Sequence, residues 1–164
     1  PVKSAGILWL AHDGTAAVMG VTRDEKGNSV LCDHGGKVRD CDAYPWDTVC
    51  RESEAGLGFV PEIETLVGTV LVDKCNHELF VCRLPADVYV AMLRPERDSL
   101  TYHSVELVTD GLPAMQAQTI RSGVPRLCDR LQFSVLHAVQ TLWDSVNMSL
   151  MPWQRVRAIK ATMR

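Results

Sequence analysis

The residues best suited to chemistry lie between Gly35 and Gly58, in the run GGKVRDCDAYPWDTVCRESEAGLG. Gly35 and Gly36 let the backbone come close to a ligand, because glycine has no Cβ and reaches positive φ at little cost. Asp42 follows in an acidic loop, and Arg51-Glu52-Ser53-Glu54 places an arginine and two carboxylates beside that phosphate-friendly turn. Tyr44, next to the acidic loop, offers a ring on which a base could stack. The zinc-binding residue types Cys32, His34 and Cys41 are also near, but their spacing fits none of the usual pairs and a fourth ligand is unassigned.

Local elements must hold these groups in place. Pro45 suits the first turn of a helix, Asp47 suits its positive N-terminal end, and Gly56 or Gly58 can end it in the left-handed conformation. Within it Trp46, Val49 and Cys50 recur at helical spacing, so this short helix needs a sheet to pack on. Ala5–Leu10 and Ala16–Val21 read as a hairpin, Ser29–Cys32 as a third strand that delivers the chain to a glycine turn, and Ile63–Val72 with Glu78–Leu84 as a second hairpin. The segment 85–93 stays open between strand and helix, and 104–108 reads as a last strand. From Pro125 to Trp143, Leu127, Leu131, Val135, Ala138, Val139 and Leu142 predict one long closing helix with a broad apolar face. A basic segment, Trp153 to Arg164, follows.

With 164 residues, 46% of them hydrophobic, the chain suits one well-buried domain. We place that domain at 1–148 and a separate basic C-terminal segment at 149–164. The net charge of −3 argues against bulk attraction to nucleic acid, although no acid follows Asp144 and the tail carries Arg155, Arg157, Lys160 and Arg164. The first apolar run is far too short for a signal core or a membrane span. Six cysteines without a C-x-x-C pair, several in apolar runs, read as reduced thiols packed as small hydrophobes. The expectation is a cytoplasmic, reducing compartment and no membrane association.

The order of these pieces, together with residues 35–58, resembles the Nudix hydrolase family. Gly36 matches the opening glycine of that family's box, Asp42 stands where its first glutamate stands, and Arg51-Glu52 match its Arg-Glu pair one residue late. In that register the two following glutamates become Ala55 and Gly56; if Glu54-Ala55-Gly56-Leu57 is taken as the closing motif, Glu54 is kept and Ser53 replaces its neighbour. The resemblance implies a mixed sheet flanked by the box helix and the long C-terminal helix, an α/β/α sandwich of the broad α+β or α/β class. It also implies Mg²⁺ (or Mn²⁺) held by Glu52, Glu54 and Asp42, with Glu52, Glu54 and Arg51 as the catalytic set. Gly35, Gly36, Tyr44, His77 and Glu106 would contact substrate. The implied reaction is cleavage of a diphosphate in a nucleotide sugar, ADP-ribose, a nucleoside triphosphate or an RNA cap, and homodimers are common in such proteins.

Helix geometry bears on that reaction. Carboxylates converge on one ion when they are three or four residues apart, whereas Glu52 and Glu54, two apart, are separated by roughly 200° around an ideal helix. A rearranged site drawing on Asp42 or a backbone carbonyl of the glycine turn stays open. Two functions follow: a magnesium-dependent hydrolase, or a binding module on the same fold for a nucleotide, an RNA end or a protein partner, with the basic tail adding contacts.

Overall fold

Ile7, Leu8, Trp9 and Leu10 form an unbroken apolar run because the strand they belong to is covered on both faces, and each is at most 2% exposed. The computed structural model describes residues 1–11, 16–84, 102–106, 126–131, 135, 137–139, 141 and 142. Among these the strands are β1 (Ser4–Ala11), β2 (Ala16–Arg23), β3 (Ser29–Cys32), β4 (His34–Lys37), β5 (Leu66–Val72), β6 (His77–Leu84), β7 (Tyr102–Glu106) and β8 (Arg126–Leu127), with one helix, α1 (Pro45–Leu57), between β4 and β5. All eight belong to one mixed sheet, whose main path runs β5-β6-β1-β2-β3-β8.

Two hairpins form as their paired apolar runs predict: β1 with β2 and β5 with β6, both antiparallel. Strand β6 then runs parallel to β1 along its whole length, Ser4 opposite His77 and Ala11 opposite Leu84. The other edge of β1 is divided. Its C-terminal residues pair with the start of β2, while Ser4–Ile7 pair with β4. Gly20 of β2 pairs with Tyr102 of β7 and with Cys32 of β3, so β3 and β7 occupy opposite edges of β2. The segment from β3 to β4 therefore leaves β2 and crosses to β1 where those strands part, and Asp33 is the residue at the crossing.

Strand alternation sorts the core into two layers. Ala5, Ile7, Trp9, Phe80, Cys82 and Leu84 pack with Val49, Trp46 and Phe59 on the α1 side. Leu8, Leu10, Ala17, Met19, Leu31, Leu79 and Val81 pack with Leu131, Val135 and Val139 on the other. Complete burial of a side chain such as Leu79 contributes about 1.5–3 kcal/mol.

Three expectations need correction. Gly35 and Gly36 lie in a strand and have no positive φ; what they supply is absence of bulk, since a Cβ on Gly35 would run into the Ala5 carbonyl oxygen and the Gly6 Cα of β1. Residues 63–65 form a 3₁₀ turn, so β5 starts only at Leu66. The helix expected from Pro125 does not begin there: Arg126–Leu127 pair with Val30–Leu31, and Asp129–Leu131 form a 3₁₀ turn. Apolar spacing of three and four fits these residues equally well, because Leu127 and Leu131 face the same core through a strand and a tight turn. Residues 135, 137–139, 141 and 142 are helical, and Thr141 Oγ1 donates to the His137 carbonyl at 2.9 Å, as one helical turn requires. The segments 85–93, 107–108 and 149–164 fall outside the described residues. No described helix is long and apolar enough to cross a membrane.

A disulfide joins Cys32 at the end of β3 to Cys128 just after β8, with Cα atoms 5.5 Å apart. This corrects the reading of both as reduced thiols: parallel pairing of two short strands far apart in sequence brings them side by side, and sequence spacing cannot reveal that. Cys41 and Cys75 are exposed free cysteines, whereas burial pushes the Cys82 thiol up to about 12.

Candidate functional site

Helix α1 is held in place at both ends. The Tyr44 N–H donates to the Asp47 carboxylate at 2.8 Å and the Asp47 N–H returns to the Tyr44 carbonyl at 2.9 Å, with Pro45 at the first helical position. At the other end Gly58, with φ 79°, donates its N–H to the Glu54 carbonyl. Gly58 rather than Gly56 is thus the left-handed terminator, which leaves Gly56 needing another explanation.

That explanation is His34. A Cβ on Gly56 would lie 2.5 Å from Cε1 and 2.7 Å from Nε2 of the His34 ring. The ring is fixed there because Nε2 bonds the Glu52 carbonyl oxygen at 2.9 Å, which ties β4 to α1. The helix position that pattern matching would give a carboxylate is therefore filled by an imidazole from the neighbouring strand.

Asp42 and Arg51 form the tightest contact of the stretch. Arg51 donates from Nη2 to Oδ2 at 2.7 Å and from Nε to Oδ1 at 3.2 Å, a two-point fork, and also to the Lys37 carbonyl at 3.1 Å. Thr48 Oγ1 and the Arg39 N–H, each at 2.9 Å, complete the set of donors on Oδ2. The Arg51 hydrogen bond above all, then the Arg39 and Thr48 donors, hold the Asp42 carboxyl well below the usual carboxylate range. Arg51 is raised in turn, chiefly by Asp42.

Glu52 Oε1 accepts from Arg51 Nη1 at 2.8 Å and packs over Gly36, where a Cβ would come within 2.5 Å of that oxygen. Glu54 is exposed, away from Glu52, as two-residue spacing dictates. Ser53 between them is completely buried and its Oγ has no hydrogen-bond partner.

These contacts test whether the residues fit a divalent cation, and they do not. Asp42 accepts twice from Arg51 and once each from Thr48, Arg39 and, at 3.8 Å, the Cys41 thiol, and Glu52 is turned onto Arg51. Among the described residues the one trio of potential ligand atoms within 4.8 Å is Cys32, Asp33 and Cys128, and two of those are joined as a disulfide.

The expected substrate contacts scatter. Tyr44 is exposed at the start of α1. Glu106 ends β7, opposite Ala16. His77 is buried on the far face of the sheet, where Nε2 meets Asp33 Oδ2 and Nδ1 meets Ser4 Oγ, both at 2.8 Å. Arg130 Nε donates to the other Asp33 oxygen at 2.6 Å. Burial alone would push Asp33 up, but the His77 hydrogen bond and the Arg130 charge outweigh it and hold the carboxyl below its ordinary value. An ionised carboxylate only accepts, so the His77 Nε2 carries a proton and donates it to Asp33.

Ser4, His77 and Asp33 are connected in the order nucleophile, base, orienter. The arrangement has no electrophilic support from the adjoining backbone, because the N–H groups of Lys3 and Ser4 are both given to the Asn76 carbonyl, at 2.8 and 3.4 Å. It serves as a buried fastening at the crossing from β3 to β4. Gly6 is part of it, since a Cβ there would strike the Asp33 carboxylate. Sequence reasoning passed over Asp33; a lone acid after an apolar strand, followed by His34, carries no spacing signal. No protein-family model matches this chain, and no curated protein matches it.

Proposed function

We propose that this chain is a Nudix-like binding module whose box has become structural, holding a nucleotide-type ligand without metal-dependent hydrolysis. The observation that carries this reading is the His34 ring occupying the space beside Gly56. Engagement of Asp42 and Glu52 by Arg51 supports it from the other side, because the acids expected to gather Mg²⁺ are spent on holding loop to helix. The exposed ring of Tyr44, next to a loop with the exposed cations Lys37 and Arg39, supplies a stacking surface and charge for a base and its phosphates.

Titration calorimetry with ATP and with ADP-ribose, in Mg²⁺ and again in EDTA, tests this. The expected result is equal affinity in both buffers, loss of binding on Tyr44→Ala, and nucleotide recovered intact after prolonged incubation. Magnesium-dependent release of a monophosphate that disappears in Glu52→Gln would replace the module with the hydrolase. Absence of any nucleotide binding would remove the ligand assignment.

A further inference from the structure

One constellation lies outside that stretch: the disulfide Cys32–Cys128 and the buried ion pair that adjoins it. Cys32 and Asp33 are consecutive, and only Asp129 separates Cys128 from Arg130, so the covalent bond and the ion pair span the same two segments in parallel. Asp33 Oδ1 accepts from Arg130 Nε at 2.6 Å and lies 3.4 Å from Cys32 Sγ. Beyond these bonds the segment is held by the Leu131 side chain in the core, with Leu127 packed beside it, and by a short pairing. Strand β8 is two residues long, pairs only through Val30 and Leu31, and adds the Cys128 N–H to the Leu31 carbonyl at 2.9 Å.

We propose that Cys32–Cys128 is a redox-operated latch that keeps Arg130 on Asp33 and the 129–131 turn on the sheet. A dithiol reductant supplies two electrons and two protons: the S–S bond breaks, Cys32 and Cys128 become thiols, and the reductant closes into its own disulfide. In the oxidised state Cys32 Sγ has no hydrogen to give. Once reduced, its S–H can donate to Asp33 Oδ1, the oxygen that Arg130 Nε uses, so reduction both removes the tether and introduces a competitor for the same acceptor. Release of Arg130 opens one wall of a cavity of about 1270 Å³ that is lined by Ser4, Lys74, Cys75, Leu127 and Arg130. Cys75, whose thiol is free and exposed, lines the same cavity.

Trypsin reads the latch directly, because it cleaves after arginine and the Arg130 side chain is only one-third exposed while Leu131 is buried. The full chain is oxidised with glutathione disulfide or reduced with dithiothreitol, and alkylation under denaturing conditions counts its thiols, four expected when oxidised and six when reduced. Brief trypsin treatment follows, with fragments identified by mass. The expected result is cleavage at Arg130 at least tenfold faster after reduction, reversal on reoxidation, and no change at Arg51. Cys128→Ser should cleave fast without reductant and ignore it, while Cys41→Ser should behave as wild type. Equal cleavage at Arg130 in the four-thiol and six-thiol forms overturns the proposal, as does a count of six under oxidising conditions. Cleavage at Arg51 rising in step with Arg130 also overturns it, since the disulfide would then be a staple for the whole fold.

Discussion

The imidazole of His34 lies where the side chain of residue 56 would be, and its Nε2 is bonded to the Glu52 carbonyl one turn earlier in the same helix. Alanine at 56 would gain helix propensity of about 1 kcal/mol over glycine if nothing were near. Here its Cβ must displace a fixed ring, and overpacking of this kind costs about 1–3 kcal/mol. Gly56→Ala should therefore be neutral to destabilising in urea unfolding, and stabilising once His34→Ala has removed the ring. A coupling energy near zero between the two substitutions would show that the ring does not hold this place.

Neighbouring glycines should respond unequally. At Gly36 the obstacle is the end of the Glu52 side chain, which can swing away at the loss of its bond to Arg51. At Gly35 it is the backbone of β1, which cannot move without parting from β4. Gly35→Ala should prevent folding or cost upwards of roughly 3 kcal/mol, in the upper range of single substitutions, while Gly36→Ala should cost about 1 kcal/mol. Circular dichroism melts of the two variants rank them, and the reverse order would contradict the β1–β4 register.

The buried Asp33 gives the fold an acid limit. Its folded pKa is lowered, so its stabilising contribution is complete above the unfolded value of about 3.9 and disappears as pH falls through the folded one. Asp33→Asn leaves His77 buried without its charged acceptor, while Arg130 can turn partly toward water. Breaking a buried pair costs about 3–5 kcal/mol, so Tm at neutral pH should fall by roughly 10 °C. Below pH about 4 the variant should also lose less stability than the wild type does. Parallel melting curves for both proteins from pH 7 to pH 2.5 would argue against this role.

How far the sequence predicts the structure depends on the range of the cause. Helix α1 was legible because proline, an acid at the third position and a terminal glycine act within the helix, and the two hairpins because an apolar run and the turn that ends it are local. The two glycines were legible as special, but the reason, contact with β1, is set by a pairing some thirty residues away. The disulfide, the network at Asp33 and the strand at Arg126–Leu127 share one origin, the return of a distant segment to β3. Chain-local patterns contain nothing about that return. In the candidate site the absence of acids at 53, 55 and 56 was readable, whereas the placement of His34 beside Gly56 required coordinates.

Arg51 and Asp42 offer a last test, since their fork joins the loop after β4 to the middle of α1. Lysine at 51 keeps the charge but cannot bond both carboxylate oxygens and the Lys37 carbonyl from one rigid plane. Without the fork, the Arg39 N–H on Asp42 and the Asp42 N–H on the Arg39 carbonyl lose their anchor. Hydrogen exchange at these two amides should accelerate in Arg51→Lys, while amides of β1 and β6 keep their protection. The depressed pKa of Asp42 fixes the pH dependence: its contribution is present above the ordinary aspartate value and is lost as pH falls through the folded one. The wild-type loop should therefore stay protected at pH about 3, where a free aspartate is mostly protonated. In Arg51→Lys the carboxyl moves back toward its ordinary value, and protection should fail at higher pH than in the wild type. Equal onset in the two proteins would mean that the fork does not set the titration of Asp42.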